Sequence, residues 1–208
     1  MAINDSYATA ALYKTIIGKT TAADDTELLI QLTGMSRLLE REITGGRYFN
    51  KDASVTIRRY YPTVPYLRSL AVEDIATTTG LIVKVDDNHD GTAETVLTIT
   101  TDFEVHPLNA GTGPEPDPYT ALYLPPGRGR LYWGDALVEV TATHGWPNVP
   151  DAIVQATCQL VALLRIETPR ATQQINEGLA AVVGMSPAAQ TIVEQLTDAY
   201  AKPAWIYS

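Results

Sequence analysis

Leu28, Leu32, Met35, Leu39 and Ile43 recur at steps of four and three, the spacing of one helix face, and Leu29, Ile30 and Leu38 widen the stripe. The pattern predicts a helix that packs against more than one neighbour. Thr21 stands at its N-cap position, Asp24, Asp25 and Glu27 fall where negative charge meets the positive end of the helix dipole, and Gly45-Gly46 closes it. A shorter helix precedes it, from about Asp5 to Ile17, with Asn4 or Asp5 as cap and Gly18 as stop. Late in the chain, Ile153, Ala156, Thr157, Leu160 and Leu164 predict a helix over Asp151–Glu167, ended by Pro169. Ala189, Ile192, Val193, Leu196 and Tyr200 predict a last helix, opened by Ser186 as cap and Pro187 in its first turn. Arg170–Gly184 between them is weakly patterned and reads as a loop or a short helix.

The middle of the chain changes period. Ser54–Tyr61 alternates at two, Gly80–Val85 and Glu94–Thr100 predict a hairpin, and further strands are expected at Asp102–Val105, Tyr119–Leu124 and Ala136–Thr143. The stretches Pro107–Pro118 and Pro125–Arg130 separate them. The expected class is α+β. N-terminal helices (1–50) and C-terminal helices (146–201) form one bundle, an antiparallel β region (51–145) is inserted between them, and a short tail (202–208) follows.

One corner stands out. In His144-Gly145-Trp146-Pro147-Asn148-Val149-Pro150 two prolines fix φ and push the residues before them toward extended geometry, so a strand turns rigidly into a helix around a tryptophan. The corner carries no nucleophile, base or metal cage and points to architecture.

At 208 residues and 45% hydrophobic content the chain can bury a real core. Its net charge of −9 excludes a general nucleic-acid binder, which needs a basic stripe to neutralise phosphates. The excess is regional: residues 51–150 hold seven basic and thirteen acidic side chains, against five and six before them and three and five after. No run of about 18 apolar residues is present to span a bilayer, and the first residues lack the basic and apolar parts of a signal peptide. The single cysteine, Cys158, sits in a helical apolar pattern and reads as inert packing.

Candidate chemistry is sparse. Asp86, Asn88 and Asp90, followed by Gly91, have the spacing of hard oxygen ligands around a calcium ion, yet position twelve is Leu97 where an EF-hand needs a bidentate Glu. What stays open is a looser calcium loop or a plain hairpin turn, in which Asn, Asp and Gly are expected. His89, His106 and His144 show no paired-ligand spacing, and Gly18-Lys19-Thr20 lacks the upstream glycine and strand of a phosphate-binding loop. No Gly-x-Ser-x-Gly elbow or Cys-His pairing occurs, so no enzyme is expected, nor any cofactor. Arg128 and Arg130, on a Pro/Gly loop, are candidates for bidentate contacts with a neighbouring subunit's carboxylates or with phosphates, the plain alternative being exposure to solvent. Arg58 and Arg59 alternate across a strand, so at most one of them faces a given partner. Trp205, Ile206 and Tyr207 in the tail are candidate anchors for a partner, alongside the Trp146 corner.

Several features occur in a fixed order. They are Tyr7-Ala-Thr, Ala23-Asp-Asp25, Glu40, Thr44-Gly-Gly-Arg-Tyr-Phe49, Arg59-Tyr60-Tyr61 before Leu70-Ala-Val-Glu-Asp-Ile75, Val105-His-Pro-Leu-Asn109, Pro118-Tyr119 and Gly145-Trp-Pro-Asn-Val-Pro150. In this order they resemble the head-to-tail connector (adaptor, head-completion) family of long-tailed bacteriophages over nearly the whole chain. This chain has Gly45-Gly46 where many members have one glycine, and its β insertion is long. The resemblance implies a non-catalytic protein of the virion neck, made in the host cytoplasm. It would form a homo-oligomeric, typically dodecameric, ring between the portal protein and a stopper or tail-side protein, and the terminal tail would dock on the portal. DNA would pass through the ring without sequence-specific binding, and no membrane is involved. The alternatives are a tail-completion or stopper protein of the same neck, or a calcium-dependent binding module.

Overall fold

The structure is a computed structural model and describes residues 6–18, 25–64, 66–128, 130, 132–134, 136–167 and 187–201. It is α+β, with four α-helices and a six-stranded antiparallel sheet among these residues. The chain divides into two compact units: Asn50–Asn148 forms one, and the segments before and after it form the other.

The helical unit holds α1 (Ala10–Ile17), α2 (Asp25–Leu38), α3 (Asp151–Glu167) and α4 (Pro187–Tyr200). α1 starts later than the expected Asp5, because Thr9 is the cap: its hydroxyl accepts the Leu12 N–H at 3.1 Å. The residues just before it are held differently, with the Tyr7 N–H donated to the Ser36 hydroxyl of α2 at 3.0 Å. Gly18 ends α1 in the left-handed conformation, as expected. The expected caps Asn4, Asp5, Thr21 and Ser186, and all of Arg170–Gly184, lie outside the described residues.

α2 is the central helix. Leu28, Leu32, Met35 and Leu39 are buried as the spacing predicts, and so are Gln31, Thr33 and Ser36, while Ile30 is exposed. The polar residues are accommodated by hydrogen bonds. The Thr33 and Ser36 hydroxyls donate to carbonyls four residues back, and Gln31 accepts from Arg165 of α3 at 2.8 Å. α2 runs on into a wider π-turn at Leu39–Ile43, closed by the Thr44 N–H on the Leu39 carbonyl, a feature without a period of its own in the sequence. α3 spans the expected residues and buries its predicted face together with Cys158. Burial pushes the Cys158 thiol up to about 11, which keeps it a thiol.

The β unit has strands β1 (Thr56–Tyr60), β2 (Ser69–Val85), β3 (Thr95–Leu97), β4 (Glu104–His106), β5 (Tyr119–Tyr123) and β6 (Val138–His144). The sheet order is β1-β6-β2-β5-β4, with β3 on the end of β2. The expected hairpin is present, pairing Val83 with Leu97 and Val85 with Thr95. β2, however, begins eleven residues before the predicted Gly80, and it is the spine of the sheet. Its first half pairs β5 and its second half β6, with register shifts at Ala71/Ile75, Ile75/Thr77 and Thr77/Ile82. Val72, Ile75, Val83, Val85, Leu122, Val138 and Val140 form the core with Phe103 and the fully buried Trp133. The Trp133 indole donates to the Arg68 carbonyl at 2.9 Å, which lets a polar ring lie at the bottom of an apolar core.

Candidate functional site

Several of the residues that carry the resemblance meet in two internal clasps, one in each unit. In the helical unit the Tyr7 hydroxyl donates to Glu40 at the end of α2 and accepts the Phe49 N–H at 3.0 Å. Phe49 sets its ring edge-on to Tyr7 at 5.7 Å and to Tyr200 at 5.6 Å. Arg37 pairs with Glu40 at 2.9 Å and lies over the rings of Tyr7 and Tyr48. The buried Arg47 reaches the carbonyl of Tyr200 at the end of α4, and the Thr44 hydroxyl lies 3.0 Å from the Glu40 carbonyl. Thr44, Arg47 and Phe49 therefore tie the chain start, the end of α2 and the end of α4 together. Burial first, and then the Glu40 charge, raise the Tyr7 pKa, so the phenol is a donor at every ordinary pH.

The second clasp closes the β unit. The buried Asp74 accepts the Trp146 indole N–H on its carboxylate at 3.0 Å and the Gly145 N–H on its carbonyl at 2.7 Å. Gly145 has φ +102, and a Cβ there would overlap the Asn50 carbonyl and stand 2.8 Å from the Lys51 Cα, so only glycine fits. The Trp146 ring is 4% exposed: it braces the corner from inside. The next strand pair continues the network, as the Tyr60 hydroxyl accepts the Glu73 N–H at 3.0 Å and Glu73 holds Arg58 at 2.9 Å. Burial pushes the Tyr60 pKa up to about 12. His144 is 3% exposed, and neither ring nitrogen makes a hydrogen bond of normal geometry among the described residues. Burial, followed by the Arg58 charge, lowers its pKa.

The Asp86–Gly91 turn is held by its own side chains. The buried Asp86 carboxylate accepts the N–H groups of Asp90 and Gly91 at 3.2 and 2.8 Å, and the Asn88 amide reaches Asp90 at 3.1 Å. His89 and Gly91 take positive φ. The N–H of Thr92 and the Asn88 amide lower the Asp90 pKa. Carboxylate oxygens of Asp86, Asp90 and Glu94 lie within 4.8 Å of one another, so these three are the described residues with the means to hold a divalent cation. Glu94, which the spacing did not name, joins Asp86 and Asp90 from the foot of the hairpin's second strand. No histidine joins a metal-capable group among the described residues.

Arg128 donates to Glu104 at 3.0 Å and to the Thr100 carbonyl at 2.9 Å. Arg130 pairs with Asp87 and donates to the Trp133 carbonyl at 3.1 Å. Both arginines thus pin their loop to the acidic side of the sheet. Trp205, Ile206 and Tyr207 lie outside the described residues.

A solved chain described as the neck of an empty GTA particle computed with C6 symmetry matches with a TM-score of 0.51 and 16% identity, over 94% of this chain and 92% of that one. The two share a fold. A second match, from the virion of a native gene transfer agent (GTA) particle, has a TM-score of 0.48 and 16% identity over 98% and 93% of the chains. No protein-family model matches the sequence, and no curated protein does. Among the described residues no helix is long and apolar enough to cross a membrane.

Proposed function

We propose that this chain is a structural protein of a virion neck, a ring-forming adaptor that docks on the portal and joins the DNA-filled head to the tail. The observation that carries the reading is the shared fold with a chain of a GTA particle neck, over more than nine-tenths of both chains. The motifs around Tyr7, Glu40, Thr44–Phe49, Asp74 and Gly145-Trp146 support it, because they brace the scaffold.

On this reading the helical unit surrounds the channel, and the tail holding Trp205, Ile206 and Tyr207 is the portal anchor. Many copies would multiply a weak single anchor by avidity. The test adds purified protein to portal-bearing, DNA-filled heads that lack it and images the vertices by electron microscopy. A ring of new density under the portal is the expected result. Bare portals overturn the adaptor assignment and favour a stopper or tail-completion role. Chains lacking Ala204–Ser208 should stay folded and load poorly, and normal loading would sink the anchor.

A further inference from the structure

Two edge strands of the sheet, β1 and β4, are unlike. Among the described residues β1 pairs only with β6, β4 only with β5 and β3 only with β2, and β1 and β4 stand at opposite ends of the strand order. On β1 and its flanks Val55, Ile57, Arg59 and Tyr61 share one face and are all exposed, with Ile57 at 51% and Tyr61 at 66%. Proteins commonly blunt such an edge with charged side chains, a proline, a bulge or a covering element, and of these β1 has the charges of Arg58 and Arg59. Ser54–Tyr61 contains no proline or glycine, and its charge is cationic, with Lys51 close by. Arg59 touches Glu139 yet keeps 62% of its side chain exposed.

The opposite edge is acidic. It includes Glu104 on β4, which Arg128 already holds at 3.0 Å, and the exposed Glu115 and Asp117 in the loop that follows, beside Leu108 at 65% exposure. A basic, apolar edge and an acidic edge with an apolar knob are two different complementary patches on one unit. That is the requirement for a heterologous contact, which repeats from copy to copy, whereas a two-fold contact uses one patch twice.

We infer that the β1 edge of one copy docks on the β4 edge and 107–117 loop of the next, so that the sheets of neighbouring copies join head to tail. The occupant of each edge is a second copy of this chain, selected by charge and by the unpaired backbone of both edge strands. The inference deepens the ring reading and rests on it.

Full-length chains carrying Arg59→Cys and Leu108→Cys are mixed and treated with a short bismaleimide. The native Cys158 is buried and does not compete. The expected product is the mixed dimer, and a chain carrying both substitutions should give a ladder above the dimer. Arg59→Cys dimers as the main product, or no product, overturn the proposal. Rings of unmodified protein in negative stain without the cross-link place the contact elsewhere and leave the ring reading standing. A ladder from chains that never load a portal keeps the contact and removes the neck role. Ile57→Asp, at an exposed position, should weaken self-association at least tenfold with an unchanged melting temperature; unchanged association counts against the contact.

Discussion

The indole Nε1 of Trp146 donates to the carboxylate of Asp74 at 3.0 Å, inside the β unit. The two residues flank the point where Ile75 of β2 pairs with His144 of β6, so one hydrogen bond fixes how the last strand leaves the sheet. A hydrogen bond to a buried charge is worth about 1.5–3 kcal/mol, and removing part of an indole adds a cavity. Trp146→Phe should therefore cost about 2–4 kcal/mol, read from the urea midpoint, and Asp74→Asn should cost less. A Trp146→Phe loss under about 1 kcal/mol would show that the clasp is incidental.

Tyr7→Phe removes the donor to Glu40 and the acceptor of the Phe49 N–H while keeping the ring packing. We expect a loss of about 1–3 kcal/mol from two buried groups left short of a partner. Thermal unfolding checks it, and an unaltered midpoint would remove Tyr7 from the clasp.

His144 gives the β unit a pH dependence with a definite sign. Its folded pKa is lowered by burial and by Arg58 on β1, against the opposing charges of Glu73 on β2 and Asp52 before β1. The unfolded chain takes up a proton near pH ~6.5 and the folded chain only below that, so stability falls on acidification from about that pH and is unaffected above it. His144→Phe should flatten the stability profile between pH ~6.5 and the onset of carboxylate titration. An unchanged profile would mean that His144 titrates alike in both states.

Calcium should have little effect. Asp86 already accepts two backbone N–H groups and acts as the internal brace of its turn. A site with a dissociation constant of ~0.1 mM would add about 1.4 kcal/mol at ~1 mM calcium, a rise of roughly 3–5 °C in melting temperature. Equal melting curves in calcium and in chelator are expected. A rise of that size that Glu94→Gln abolishes would make the turn a cation site.

How much of this was legible in the sequence depended on whether burial and polarity agreed. α3 reads plainly because Ile153, Ala156, Leu160 and Leu164 are both apolar and buried. The first half of β2 was hidden because its inward positions, Leu70, Val72, Asp74 and Ala76, include a buried carboxylate next to Glu73, and a Glu-Asp pair reads as a loop. Three register shifts between Ala71 and Ile82 then broke the alternation. Trp133 was missed for a related reason: it lies in a segment rich in proline and glycine, and only the fold turns it inward. The candidate residues were found as a set of motifs, but the contacts between Tyr7 and Phe49 or Asp74 and Trp146 span 42 and 72 residues, beyond the reach of any local pattern.

The β unit begins and ends at nearly the same place. Asp52 donates its N–H to the His144 carbonyl at 2.8 Å, and Gly145 lies against the backbone of Asn50 and Lys51. A segment whose two ends are stapled side by side behaves as a cassette: strands can be lengthened, loops added or the whole insert exchanged without altering the gap its ends must bridge. The missing side chain of Gly145 is what keeps that gap narrow, so one hydrogen atom in place of a methyl group leaves the β unit free to diverge between fixed ends.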